Sequence, residues 1–158
     1  MQNRMKTHQL NEKEINDLLA YSMVGRLATV SAAGIPYVIP VHFVYENQKI
    51  YIHGLIKGQK LENIAANSNV CFEIDHFENF IMPAENSPCD VNTQYQSVII
   101  TGTAKLIEDE KEKTNALNYI VEKYTPLLAG IPFGNAIKAT AVIEITPTEI
   151  TGKYYRNE

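Results

Sequence analysis

The chain has 158 residues, of which 45% are hydrophobic and 20% charged, with a net charge of −4. This length suits one domain with a sizeable core, so we expect a single domain over residues 1–158. The acidic balance argues against general affinity for nucleic acid. No apolar run approaches the length of a membrane span, and residues 1–9 are polar, without the apolar stretch of a signal peptide. We therefore expect a flexible N-terminal segment and a cytoplasmic protein.

The only two cysteines, Cys71 and Cys89, are expected to be free thiols in a reducing cytosol. His76 and Asp90 lie near them in the sequence. The spacing of the four residues matches no common zinc pattern, so no metal site is expected.

The first third of the chain predicts a helix followed by strands. Asn11 is a good N-cap, and Glu14 stands three residues later, as in a capping box. Pro36 and Pro40 fall within one strand pattern, and proline cannot donate to a strand ladder. That strand is therefore expected at an edge or at a bulge, with backbone groups free to meet a ligand. The helix is expected over residues 11–24, ended by Gly25, and the strands over 25–31 and 35–45.

A third strand then runs into a short helix through a turn that is rich in glycine and lysine. Ile50, Tyr51 and Ile52 favour a strand, and Leu61 and Ile64 recur at helical spacing. Glycine allows close backbone approach, and a helix start attracts anions, so the turn has the parts of a phosphate site. The alternative is a solvated turn that carries lysines. The spacing is not that of a P-loop. The residues of the turn are Gly54, Lys57, Gly58 and Lys60.

The second half predicts further strands and one helix. Gly102 within the longest strand suggests a bend. Asp109 and Glu112 indicate a helix start. With six to seven strands, short turns and no βαβ alternation, we expect a mostly β fold, an antiparallel barrel with accessory helices. Strands are expected over 70–75, 94–107, 139–145 and 150–154, a helix to 124, loops over 78–93 and 127–135, and a turn at 146–148.

Taken together, these segments resemble the FMN-binding split-barrel superfamily, which includes pyridoxamine 5′-phosphate oxidases. The resemblance runs from about Leu10 to Glu149 and depends on the order and spacing of all its pieces. The later pieces look like the nitroimidazole-resistance (Nim-type) branch. The pieces are Gly25–Val30, Gly34–Phe43, Ile50–Gly54 and Gly58–Ile64, and then Pro88–Asp90, Thr93–Ile99 and Gly102–Ala104.

The resemblance implies a homodimer of split barrels with two FMN molecules at the interface. Lys60 would pair with the FMN phosphate, assisted by Lys57 or Arg26. The segment Pro36–Phe43 would line the flavin ring, and Tyr95 and Ser97 would approach it from the long strand. The full cofactor-binding set is Arg26, Pro40, Val41, His42, Phe43, His53, Gly54, Lys57, Gly58, Lys60, Tyr95 and Ser97.

His53 resembles the histidine that Nim-type proteins place beside the flavin, and it is the expected catalytic proton donor. Strand alternation places Tyr51 and His53 opposite Ile50 and Ile52, whose face is the natural core face. The alternative is a barrel histidine that is bonded to backbone. The expected activity is FMN-dependent reduction of a small acceptor, such as a nitroimidazole. Vitamin B6 oxidation is not expected, because the C-terminus lacks that enzyme's basic residues. The alternatives are a non-catalytic flavin carrier or sensor, or a haem protein that uses His53 or His42.

Overall fold

The computed structural model describes residues 6–83 and 87–156, and these form one seven-stranded sheet. Every strand pair is antiparallel, and the strand order is β2-β1-β5-β6-β7-β4-β3. The mostly β, antiparallel fold predicted from sequence is confirmed, with seven strands. The strands are β1 Gly25–Val30, β2 Pro36–Val41, β3 Phe43–Glu46, β4 Lys49–Leu55, β5 Asn69–Ile81, β6 Asn92–Leu106 and β7 Thr140–Tyr155.

The barrel is split between β2 and β3. These strands lie at opposite ends of the sheet order, yet only His42 separates them along the chain. The prediction of one strand over residues 35–45 is therefore wrong. The edge position inferred from Pro36 and Pro40 is correct, because β2 pairs only with β1. At an edge, the missing proline N–H groups leave no neighbour unpaired.

The barrel interior holds the larger core, and the Ile50–Ile52 face of β4 points into it as predicted. Ile50 and Ile52 are fully buried, together with Phe43 and Phe72. Tyr51, on the opposite face of β4, packs in a second cluster that the third helix covers from outside. The second cluster consists of Val44, Tyr51, Ile107, Ala116, Leu117, Ile120, Ile137 and Val142.

Within the described residues, three α-helices of eight or more residues cover the sheet: α1 Glu12–Tyr21, α2 Gln59–Ala66 and α3 Glu110–Tyr124. The predicted capping box is present, because Glu14 N donates to Asn11 Oδ1 at 3.0 Å and Asn11 N donates to Glu14 Oε2 at 2.9 Å. However, α1 ends at Tyr21, before the Gly25 predicted to stop it, and Gly25 begins β1. Short 3-10 turns at Pro88–Asp90, Pro126–Leu128 and Gly134–Ala139 occupy parts of the two predicted loops.

Two strands extend beyond their predicted limits. β5 continues to Ile81 and pairs with β6, so part of the predicted loop over 78–93 is a hairpin. β7 is continuous through the predicted turn at 146–148. Pro147 lies opposite Gly102 at a register shift, and a Cβ on Gly102 would approach Thr146 O to 2.3 Å. Glycine and a β-bulge thus let β7 pass through a proline.

The N-terminal segment is hydrogen-bonded to the C-terminal part of β7. Gln9 forms an isolated antiparallel bridge with Lys153, and Leu10 N donates to Gly152 O at 3.1 Å. Residues 8–10 are therefore attached to β7, whereas residues 1–5 of the segment expected to be flexible lie outside the described part of the chain.

Candidate functional site

The turn between β4 and α2 brings a lysine onto a glycine backbone. A Cβ on Gly54 would lie 3.0 Å from Lys60 Nζ, so the ammonium group occupies the space that a side chain would need. Gly58 has φ +141°, a conformation that residues with side chains rarely adopt. None of the ion pairs formed by the described residues involves Lys57 or Lys60. The positive charge of the turn is therefore available to an anion.

The start of α2 adds backbone donors to this charge. Gly58 is the N-cap, with no side chain to cap the helix. Leu61 N and Glu62 N donate to Gly58 O, at 2.9 and 3.3 Å. The N–H groups of Gln59 and Lys60 precede the first intrahelical bonds, and no described residue accepts a hydrogen bond from them. Free N–H groups and the positive end of the helix dipole favour a phosphate or carboxylate here.

A partly buried chain of polar groups anchors α2 to the barrel. Gln59 Nε2 donates to Asn63 Oδ1 at 2.9 Å, and Asn63 Nδ2 donates to Thr29 Oγ1 at 2.9 Å. Thr29 Oγ1 in turn donates to Tyr37 O at 3.4 Å. Asn63 and Thr29 are 2% and 1% exposed, so each hydrogen bond also avoids a buried unpaired group. This chain, which was not foreseen from the sequence, fixes the helix start relative to β1 and β2.

His53 lies at the end of β4, one residue before Gly54, on the face opposite Ile52. Partial desolvation of the ring lowers the pKa of His53, and the nearby positive charges of His42 and Lys60 lower it further. The three side chains therefore belong to one electrostatic cluster. Because burial and positive charge favour the neutral imidazole, a bound anion that offsets the charge of Lys60 would make it easier for His53 to hold a proton for transfer.

Two of the predicted cofactor-binding residues are engaged elsewhere. Arg26 donates to Glu73 at 3.0 Å and also to Asp75, so its charge is already paired. The Phe43 side chain is fully buried in the core, and its backbone N–H donates to the hydroxyl group of Tyr124 at 2.9 Å. Neither residue offers the β4–α2 turn a free group.

Pro40 and Val41 lie on β2, the edge strand beside the barrel split. Pro40 is exposed and Val41 is half-buried, and nearby Val38 is 57% exposed. Since β2 has one free edge and several exposed apolar side chains, it can accept a flat apolar group or a partner chain.

Tyr95 and Ser97 lie on β6 and pair with the end of β7 opposite to the end that pairs with His53 of β4. His53 pairs with Val142, whereas Ser97 pairs with Lys153, roughly 36 Å further along that strand. Ser97 lines a cavity of about 160 Å³ together with Leu10 and Ile15. Its hydroxyl oxygen is buried, with no hydrogen-bond partner among the described residues. One protomer therefore does not bring these two residues to the β4–α2 turn.

Both cysteines are free: Cys71 is half-buried and Cys89 is exposed. Within residues 6–83 and 87–156, no cluster of three or more His, Cys, Asp or Glu side chains could hold a metal ion. Nor is any helix in those ranges long and apolar enough to cross a membrane.

An antiparallel sheet split between β2 and β3, with a basic strand-to-helix turn, is the architecture of the split-barrel class. Residues 11–154 match the family model described as pyridoxamine 5′-phosphate oxidase. The match covers most of the chain, and the protein belongs to this family.

Individual relatives agree with this assignment. A solved structure of a candidate 5-nitroimidazole antibiotic resistance protein from Bacteroides thetaiotaomicron is 26% identical, with a TM-score of 0.78 over 92% of this chain and 85% of that one. The flavocytochrome Anf3 from Azotobacter vinelandii, at 21% identity, shares the fold with a TM-score of 0.85 over 99% of this chain and 73% of that one.

A curated relative from Streptomyces rimosus subsp. rimosus is 5a,11a-dehydrotetracycline/5a,11a-dehydrooxytetracycline reductase. It is 35% identical over 100 residues, which are 61% of this chain and 63% of that protein. The chain thus matches less than two thirds of that relative's length.

Proposed function

We propose that this protein is an FMN-dependent oxidoreductase that reduces a small organic acceptor. The observation that carries the proposal is the Lys60 ammonium group packed over Gly54 beside the uncapped start of α2. A positive group without an acidic partner, next to free N–H groups, fits a phosphate monoester better than it fits a structural role. Membership of the pyridoxamine 5′-phosphate oxidase family supports a flavin phosphate as that anion.

The residues present fit FMN in three respects. Lys60 and the N–H groups of α2 would hold the phosphate, and the exposed Lys57 would add charge nearby. The exposed edge of β2, at Pro40 and Val41, would lie against the ring system. His53 and His42 would border the bound flavin, because His53 interacts electrostatically with both His42 and Lys60.

When bound, FMN supplies the electron transfer, and the chain's own groups supply position and protons. Lys60 binds the anion and fixes its place relative to β4. The phosphate would offset the positive charge of Lys60. The charge of Lys60 would then lower the pKa of His53 less than it does in the flavin-free protein. His53 Nδ1 or Nε2 can then hold a proton and deliver it to the reduced acceptor.

The acceptor class is a small, electron-poor organic molecule. The Bacteroides neighbour, by its description, concerns nitroimidazoles, and the Streptomyces relative is a reductase of a dehydrotetracycline. Both kinds of reduction consume protons together with electrons. A nitroheteroaromatic acceptor is therefore the acceptor class that we propose, with His53 as the proton donor. A non-catalytic flavin carrier remains the alternative function.

We also propose a homodimer that completes the flavin site. The free edge of β2 is the kind of surface that a second copy covers, and two-fold assembly is the commonest arrangement. Tyr95 and Ser97 of β6 pair with the end of β7 that is far from the β4–α2 turn, so the partner protomer would bring them to the same flavin.

The test is turnover under anaerobic conditions. Flavin-loaded protein is reduced chemically, mixed with a 5-nitroimidazole or a dehydrotetracycline, and followed by flavin absorbance. Reoxidation by acceptor with product formation supports the enzyme. Tight flavin binding without reoxidation by either acceptor would favour the carrier. Light scattering over a concentration series tests the dimer, and a monomer in the presence of FMN would contradict it.

A further inference from the structure

The side chain of Tyr124 contacts the barrel split from outside the barrel, at the start of β3. The Tyr124 hydroxyl, at the C-terminal end of α3, accepts from Phe43 N at 2.9 Å. The same oxygen lies 2.9 Å from Phe43 O and 2.8 Å from Met23 O. A hydroxyl group has one proton, so it donates to one of these two carbonyl oxygens at a time. Tyr124 thus satisfies backbone groups at the start of β3 that a neighbouring strand satisfies in a closed barrel.

The aromatic ring of Tyr124 also contacts His42, the residue between β2 and β3. The His42 and Tyr124 rings lie 4.8 Å apart between centroids, at an angle of 35°. His42 is exposed and belongs to neither β2 nor β3, so the strands do not fix its side chain. Tyr124 therefore constrains His42 twice, through the backbone of the next residue and through contact with the imidazole ring.

We propose that Tyr124 is a positioning residue of the flavin site, which holds His42 beside His53 from outside the barrel. The proposal rests on the function proposed above, since it gives the His42–His53 pair its purpose. Tyr124 need not touch flavin or acceptor for this role. It acts through His42, since its ring contacts the imidazole ring and its hydroxyl group holds Phe43, the next residue.

The electrostatics give this arrangement a measurable consequence. The charged groups that act on His53 are His42, from the β2–β3 junction, and Lys60, from α2. Both lower the pKa of His53, because each disfavours a second positive charge nearby. If His42 moves away, this repulsion weakens, and the pKa of His53 should rise toward its ordinary value.

Tyr124→Phe is the selective variant, because it keeps the ring that contacts His42 and removes only the hydroxyl group. Tyr119→Phe is the matched control on the same helix. The Tyr119 hydroxyl accepts from Asn47 Nδ2 at 3.3 Å, and its ring lies 6.0 Å from that of Tyr51, away from His42. A general loosening of α3 affects both variants, whereas loss of His42 positioning affects only Tyr124→Phe.

The experiment is an NMR titration of the histidine side chains in flavin-free protein, with His53 assigned through His53→Gln. We expect Tyr124→Phe to raise the proton affinity of His53 by roughly twofold to fivefold, the scale of one weakened charge interaction. Tyr119→Phe should leave it unchanged. An unchanged His53 titration in folded Tyr124→Phe would overturn the proposal.

His42→Ala makes the test independent of the stability of the Tyr124 variant. Removal of His42 should itself raise the proton affinity of His53. In that background, Tyr124→Phe should then add nothing, because the two residues act in series. Additive effects would overturn the proposal. Absence of FMN uptake would refute the proposed function, whereas the titrations, made without flavin, decide the positioning role separately.

Discussion

The most informative substitution at the proposed phosphate site is Lys60→Ala. The Lys60 ammonium group lies over Gly54, and no ion pair among the described residues competes for it. Loss of one charge-assisted contact costs roughly 1.5–3 kcal/mol, which corresponds to about a tenfold to hundredfold loss of affinity. Riboflavin lacks the phosphate, so its affinity should change by less than about twofold.

The measurement is a fluorescence titration of both flavins at one fixed ionic strength, because exposed charges are screened by salt. Lys57→Ala is the control: that side chain is in the same turn but exposed, and it should cost FMN affinity much less. An equal loss of FMN and riboflavin affinity in Lys60→Ala would show that Lys60 supports the fold of the turn rather than the phosphate.

Three further predictions concern the site and the barrel. His53→Ala should keep flavin bound but slow acceptor reduction by roughly 10²–10⁴-fold. Because the pKa of His53 is lowered, the wild-type rate should fall as pH rises through that lowered value. Stopped-flow rate profiles against pH should lack this step in the variant. Asn63→Ala should lower the free energy of unfolding in urea by about 1–3 kcal/mol, because Thr29 loses its hydrogen-bond donor. Glu62→Ala, at an exposed position on the same helix, should lower it little. Equal losses in the two variants would refute the anchoring role of Asn63. Ser97→Ala should be neutral or stabilising by up to about 1 kcal/mol in flavin-free protein, and a clear destabilisation would reveal a hydrogen-bond partner for the hydroxyl group.

The sequence predicts those parts of the fold that depend on local pattern. Alternation along β4 correctly assigns Ile50 and Ile52 to the core, and Pro36 and Pro40 correctly predict an edge strand. The break at His42 is not visible in the sequence, because the apolar pattern continues through it from Ile39 to Tyr45. It results from long-range pairing, since β2 pairs with β1 whereas β3 pairs with β4 at the other edge of the sheet.

The errors in β5 and β7 have the same origin. Pro147 suggests a turn when read alone, but its partner across the sheet is Gly102, whose missing side chain leaves room for an irregular pair. The end of β5 at Ile81 is stabilised by pairing with Asn92, which local pattern does not report. Long-range partners decide both strand lengths.

In the candidate site, too, the local sequence indicates some of the residues and not others. Lys60 and Gly54 could be found from sequence because glycine and lysine in a strand-to-helix turn have a local meaning. Tyr124 reads as one more member of the apolar face of α3, and its bonds to Phe43 join residues that are distant along the chain. Arg26 illustrates the opposite case, since its acidic partners on β5 are not apparent from its own neighbourhood.

The central claim is that the β4–α2 turn binds a flavin phosphate. The most direct measurement is equilibrium dialysis against FMN, made with the purified wild-type protein and with the Gly54→Val variant. A side chain at Gly54 would displace the Lys60 ammonium group, because an added Cβ would lie 3.0 Å from Nζ. We expect one FMN per chain at roughly micromolar concentrations, a flavin absorbance spectrum, and uptake at least about tenfold weaker in Gly54→Val. No uptake by folded wild-type protein at tens of micromolar, or equal uptake by both proteins, would contradict the account.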